Sequence, residues 1–307
     1  MKKVRRLLTI FVALFILWFI GLFHPIANMH FLVEQGGALQ LGENLKVKEL
    51  YEDDEVSIRK VYLQRNRESK LKRTLDFINP PRVHLFTFKN SDGNFSIGYH
   101  ETRSTARKEL SKALNFSINS SFYDKEMNTL GEVVVKGQNF GQHSNSSGFF
   151  KVIEGKAYAG PRSLFEGLQG TVEYSCQAHP SVMKEGIIWP YILEESMNQR
   201  HWKRRTLRNL SGMDANGNIM FLVSGDGGLL SVKEMSELAL RLGIRTATLF
   251  DAGSALQYSF KKNGYMIHFS AYNNRIQLNE VVHTWFKEKT GYRFFNSSPV
   301  FINYKAS

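Results

Sequence analysis

The sequence predicts an α+β fold: a mixed, twisted sheet with a few packed helices, preceded by one N-terminal transmembrane helix. Three observations predict it. Short apolar runs of strand length, separated by Gly, Asn and Asp turns, dominate the earlier half of the chain. A single well-marked helix stands between the apolar runs Ile219–Val223 and Thr246–Phe250. An uncharged apolar run opens the chain behind a basic cluster. The 307 residues suffice for one large domain with a sizeable core, and their composition is that of a folded protein.

The elements follow in order. Lys2, Lys3, Arg5 and Arg6 precede the run Leu7 to Phe23, which is closed by His24-Pro25. Seventeen helical residues span about 25 Å, near the lower limit for crossing a bilayer. Neither Phe23-His24-Pro25 nor Pro25-Ile26-Ala27 offers a good small-x-small cleavage site. Residues 1–27 therefore read as a cytoplasmic basic flank and an uncleaved signal anchor crossing the membrane through 7–23. The rest is expected outside the cytoplasm, in a periplasm or at the cell surface. Cys176 is the sole cysteine, which excludes an internal disulfide and suits a bacterial envelope.

Residues 28–45 read as a linker, and 46–307 as the folded domain. Val56–Ile58 and Val61–Leu63 alternate like edge or surface strands within a charged stretch that includes the basic run Arg65–Arg73. Val83–Phe88 and Phe95–Ile97 are strands joined by a turn at Asn90–Asn94; Thr105–Leu114 is a short helix. Leu114–Ile118, Val133–Val135 and Phe149–Ile153 are further strands. Ser231 with Glu234 forms a capping box, Val232, Met235, Leu238, Ala239 and Leu242 form one apolar face, and Gly243 ends the helix. With its flanking strands this helix resembles a β-loop-α-β crossover. A second helix is expected from Leu278 to Lys289 and a closing strand over Val300–Tyr304.

Four polar stations punctuate these elements: Asn119-Ser120-Ser121-Phe122-Tyr123, Gln177-Ala178-His179-Pro180, Arg208-Asn209-Leu210-Ser211-Gly212 and Asp251-Ala252-Gly253-Ser254. Strand ends that present polar groups among small neighbours are where a sheet builds a site. Each station also has a plainer use. Asn119 suits a turn or an amide directed at a sugar hydroxyl or phosphate oxygen. Arg208, in the basic run from Lys203, suits a solvated loop or a bidentate phosphate grip. Asp251 suits a cap or a carboxylate held for chemistry. Gly225-Asp226-Gly227-Gly228 lacks the Lys-Ser/Thr of a nucleotide-binding loop and reads first as a turn. Glu234 is explained by its capping box. Cys176 and His179 have the spacing of neither a supported nucleophile pair nor a metal site, and no metal or cofactor is predicted.

The net charge is +12, of which the N-terminal cluster supplies four and the exported part eight. That excess favours anionic partners. Zinc spacing, a helix-turn-helix signal and an RNP-like strand are all missing, so no nucleic acid is expected.

Together the four stations resemble the phosphodiester glycosidase family in its bacterial branch, in order and in rough spacing over residues 80–260. The chain departs from the family's pattern at Ser120 and Ser121, at His179, at Leu210-Ser211 and at Ala252, where glycine or other small residues are usual. The resemblance implies hydrolysis of a sugar-1-phosphate diester in an envelope or extracellular glycan. It would place Asp251, Asn119 and Asp226 in catalysis, and Arg208, Gln177, Asn209 and Ser254 on the substrate. The alternative is a non-catalytic, membrane-anchored envelope protein that binds an anionic glycan.

Overall fold

The computed structural model describes residues 2–22, 37–42, 45–67, 69–78, 80–124, 126–145, 147–194, 200–271 and 298–306. Three sheets share one aromatic core. The first contains β1 (Val47–Glu52), β2 (Val56–Tyr62), β3 (Arg82–Phe88), β11 (Ser181–Lys184), β12 (Ile187–Ile188), β13 (Asn209–Met213), β14 (Ile219–Ser224) and β15 (Thr246–Phe250), in the order β1-β2-β3-β14-β13-β15-β11-β12. The second, β7-β6-β10-β8-β9, uses β6 (Val133–Val135), β7 (Gln138–Asn139), β8 (Gly148–Ile153), β9 (Lys156–Pro161) and β10 (Val172–Ala178). The third, β17-β16-β5-β18-β4, uses β4 (Phe95–Ser104), β5 (Phe116–Asn119), β16 (Gln257–Lys262), β17 (Tyr265–Ser270) and β18 (Ser298–Tyr304).

The central strands β14 and β15 are buried along their whole length, which is why they read as unbroken apolar runs. One face of the first sheet sends Ile58, Phe86, Phe88, Phe221 and Val223 into the core shared with the other two sheets. Phe86, Phe88, Phe116, Phe221, Tyr258 and Tyr304 meet there at ring-centroid separations of 4.5–5.9 Å. Each buried ring contributes roughly 1.5–3 kcal/mol of transfer free energy. The opposite face, with Leu85, Leu222 and Leu249, packs on Met235, Leu238 and Ala239 of the Val232–Arg241 helix. That helix starts at the predicted capping box: Glu234 N–H donates to Ser231 Oγ at 3.1 Å and Ser231 N–H to Glu234 Oε2 at 3.0 Å.

The α+β class holds, but the sheet is not mixed. Every described pairing is antiparallel. The crossover is real and spans one strand: β13 lies between β14 and β15 and runs against both, so they share a direction without touching. Local periodicity marks a crossover but does not show the strand it jumps over.

Other differences are smaller. β2 is an interior strand, because β1 covers its outer side. Lys70–Ile78, which starts within the basic stretch and runs past its end, is a helix with no counterpart among the expected elements. Leu39 bridges to Arg65, and Leu39 and Leu41 pack against the helix-side core, so the end of the supposed linker docks on the domain. The N-terminal helix is present as Lys2–Leu22, with Val4, Leu7, Leu8, Ile10, Phe11 and Phe15 exposed. Among the described residues no helix is long and apolar enough to cross a membrane. The expected helix over Leu278–Lys289 lies outside the described residues.

Candidate active site

Strand pairing brings two of the stations together. β13 begins at Asn209, β15 ends at Phe250, and these two residues face each other across the ladder. Arg208 and Asp251, one residue beyond each, therefore flank the same end of the sheet. Asp251 N–H donates to Ser120 O at 2.9 Å, which ties in the first station. His179 N–H donates to Leu249 O at 3.1 Å, which ties in the second. The result is an open cavity of about 290 Å³. Its lining takes Phe122, His179, Arg208 and Asp251 from the four stations in turn, joined by Trp202 and Arg204.

Asp251 lines this cavity. Burial pushes the carboxyl up to about 7, against the lowering effect of the Ala252 N–H, which donates to Oδ1 at 2.9 Å. Desolvation raises a carboxylate in this way because the charged form loses more hydration than the neutral one. Arg208 is fixed by backbone acceptors: Nε donates to Leu230 O at 3.0 Å and one terminal nitrogen to Arg204 O at 2.8 Å. Burial lowers its pKa to about 10, with Glu234 opposing and Arg204 assisting. It remains a cation at neutral pH.

The amides predicted to touch substrate stand behind the cavity. Asn119 is fully buried; its Nδ2 donates to Asp251 O at 2.9 Å and its Oδ1 accepts from Gln257 N–H at 2.9 Å. Asn209 Nδ2 donates to Asn119 O at 2.8 Å and reaches Asp251 O at 3.3 Å. Two amides thus clasp the backbone on which Asp251 sits. Gln177 binds backbone as well: Oε1 accepts from Glu132 N–H and Ser144 N–H, both at 2.9 Å, and Nε2 donates to Ser144 O at 2.7 Å. Ser254 lies in the short turn Gly253–Ala255, next to the lining residue Gly253.

Asp226 is in a different place. It pairs with Arg82 and lines a second cavity. The Gly225–Gly228 tetrad is a turn folded onto the start of β3: Gly225 N–H donates to Arg82 O at 2.9 Å, and a Cβ on Gly228 would stand 2.2 Å from the same oxygen. Glu234 is committed to structure, bound by Arg65 at 2.7 Å and Arg205 at 2.8 Å. Burial alone would raise its pKa, but the two guanidinium groups hold it down to about 2. Cys176 is buried, and desolvation pushes its thiol up to about 12, which leaves no thiolate for a nucleophile. Among the described residues no cluster of His, Cys, Asp and Glu is placed to hold a metal ion.

The residues missed were aromatic and cationic wall groups. Phe122 lies three residues beyond Asn119 and His179 two beyond Gln177, both past the strand ends, where strand alternation does not say which side chain of a station reaches the cavity. The Trp202 ring is tilted against that of His179 at 5.7 Å between centroids, and no motif in the sequence pointed to it.

The sequence profile of the phosphodiester glycosidase family matches residues 112–282, more than half the chain and all four stations. The chain belongs to this family. The fold agrees with solved structures. The catalytic domain of zebrafish N-acetylglucosamine-1-phosphodiester alpha-N-acetylglucosaminidase, auto-inhibited by its pro-peptide, superposes with a TM-score of 0.60 at 12% identity, covering 90% of this chain and 93% of that one. A putative exported protein from Burkholderia pseudomallei gives 0.56 at 8% identity, with 89% and 100% covered. A hypothetical protein from Synechocystis gives 0.51 at 13%, with 85% and 64% covered. No curated protein sequence matches.

The departures from the family's glycines leave the backbone unstrained. Ala252 has φ −148°, and none of Ser120, Ser121, His179, Leu210 and Ser211 has a positive φ. Of these positions His179 and Ala252 line the cavity, and there the substitutions change the bulk and polarity of its wall.

Proposed function

We propose that the protein hydrolyses a sugar-1-phosphate diester within an anionic glycan of the cell envelope. Family membership supports the reaction class. The observation that carries the reading is one open cavity holding a fixed guanidinium and a carboxyl whose pKa lies near neutrality. Arg208 grips the phosphodiester anion, its plane set by the carbonyls it already binds. Phe122, His179 and Trp202 form an aromatic wall for the sugar ring. The bond between C1 and the phosphate oxygen breaks with its electron pair leaving on phosphate, a weak base that needs little acid help. Water adds to C1, and Asp251 takes the proton and stabilises positive charge developing on the ring. A general base works best with a pKa near the working pH, and burial gives Asp251 that property. Asn119 and Asn209 act as positioning residues, since each holds Asp251 through its carbonyl.

The membrane-anchored placement, with residues 7–23 in the bilayer and the domain outside, belongs to this proposal. The binding-only alternative is favoured by the bulk of His179 where small residues are usual. Incubating the protein with sugar-1-phosphodiesters and following release of free sugar and phosphomonoester separates the two. Release that is lost in Asp251→Asn supports the enzyme; binding without release in the wild type supports the binder.

A further inference from the structure

A second cavity, of about 230 Å³, opens between β1–β3 and the β16–β17 hairpin. Its character follows from the strand sequences. The inward stripe of β2 runs Val56, Ile58, Lys60, and that of β3 runs Phe88, Phe86, His84, Arg82, so both are apolar along the core and basic at this end. Register sets Lys48 directly opposite Lys60, and Lys60 directly opposite His84. Like charges facing each other across a ladder destabilise it. Lys60 is also partly desolvated, and burial together with the Arg82 and Lys48 charges holds its pKa below the ordinary value.

Compensation inside the cavity is incomplete. Asp226 supplies the carboxylate, and it is paired with Arg82. His84 is buried and linked through Nδ1 to Tyr258 Oη at 2.7 Å. Among the described residues Lys60 has no carboxylate partner. The remaining wall includes Tyr265 and His268, so it offers aromatic faces beside the two cations.

We propose that this cavity is a second anion subsite, which takes a phosphate group of the glycan at a distance from the bond being cleaved. It rests on the glycosidase reading for the identity of the polymer. Arg82 starts β3 and Asp251 follows β15, at the same end of one sheet and three strand spacings apart, about 14 Å. A single sugar does not span that separation. The substrate class that fills both cavities is a poly(sugar phosphate).

The test uses the full chain in detergent, with inorganic phosphate as the first probe and calorimetry as the readout. Two sites are expected. Lys60→Ala should weaken one about tenfold or more, and Arg208→Ala the other. Lys60→Arg should retain both, and circular dichroism verifies folding of each variant. In kinetics, Lys60→Ala should leave cleavage of a monomeric sugar-1-phosphodiester unchanged and raise KM for a short poly(sugar phosphate) about tenfold. Phosphate binding and polymer KM both unaltered by Lys60→Ala would overturn the subsite while leaving the glycosidase reading intact. Lys60-dependent phosphate binding in a protein that cleaves no sugar phosphodiester would do the reverse.

Discussion

In the proposed mechanism Asp251 joins a catalytic role to a stability cost. Its folded-state pKa of about 7 lies above the ordinary 3.8, so between these values the folded protein holds a proton that the unfolded chain has released. Its contribution is therefore most favourable below about pH 4 and declines as pH rises through 7, by roughly 3–5 kcal/mol in all. Asp251→Asn should abolish turnover, largely spare binding, and raise Tm more at pH 8 than at pH 5; thermal melts at both pH values check it. If the ionised carboxylate is the working form, wild-type kcat/KM rises through about pH 7. Arg208→Ala should weaken binding of a phosphodiester about ten- to a hundredfold as well as slow the reaction, because the guanidinium meets an anion already present in the ground state. Titration of both variants with substrate measures the difference.

At the scale of elements, the helix after β14 is secured electrostatically at its N-terminus. Glu234 is held down to about 2 by Arg65 and Arg205, so its contribution is fully present above about pH 4.5 and is lost as pH falls toward 2. Glu234→Gln should flatten the acid limb of the stability profile and lower Tm at pH 7. Ser231→Ala should cost about 1 kcal/mol in denaturant titrations. This helix was legible because its signals are local: a capping box, a spacing of apolar residues and a glycine stop. β14 and β15 were legible because strands buried on both faces read as apolar runs. The order of strands was not, since β13 intervenes through contacts that no short window contains. The site was legible at the same resolution. Strand ends located the stations, and Arg208 and Asp251 do share a cavity, whereas the side chain at each station that faces inward depends on tertiary orientation. Asn119 and Gln177 were chosen for their chemistry, and the fold uses that chemistry on backbone.

For the whole molecule, the basic charge excess and the basic end of the first sheet suit the extended anionic partner proposed above, and the proposed place of the domain is outside the cytoplasm. The orientation is testable independently of activity. Alkaline phosphatase joined after residue 60 should be active, and a reporter that works only in the cytoplasm should be silent at the same point. The opposite pair of results would place the domain inside.

The clasp made by Asn119 and Asn209 divides labour within the site. Both amides act on carbonyl oxygens of the main chain, so they are indifferent to which side chains face the cavity. Phe122, His179 and Trp202 instead line the cavity itself. Across relatives that have diverged toward different sugars, the two amides should persist while those three positions vary freely. Specificity is then replaceable in this scaffold without rebuilding its frame, and grafting wall residues between relatives should transfer preference with the catalytic loop left undisturbed.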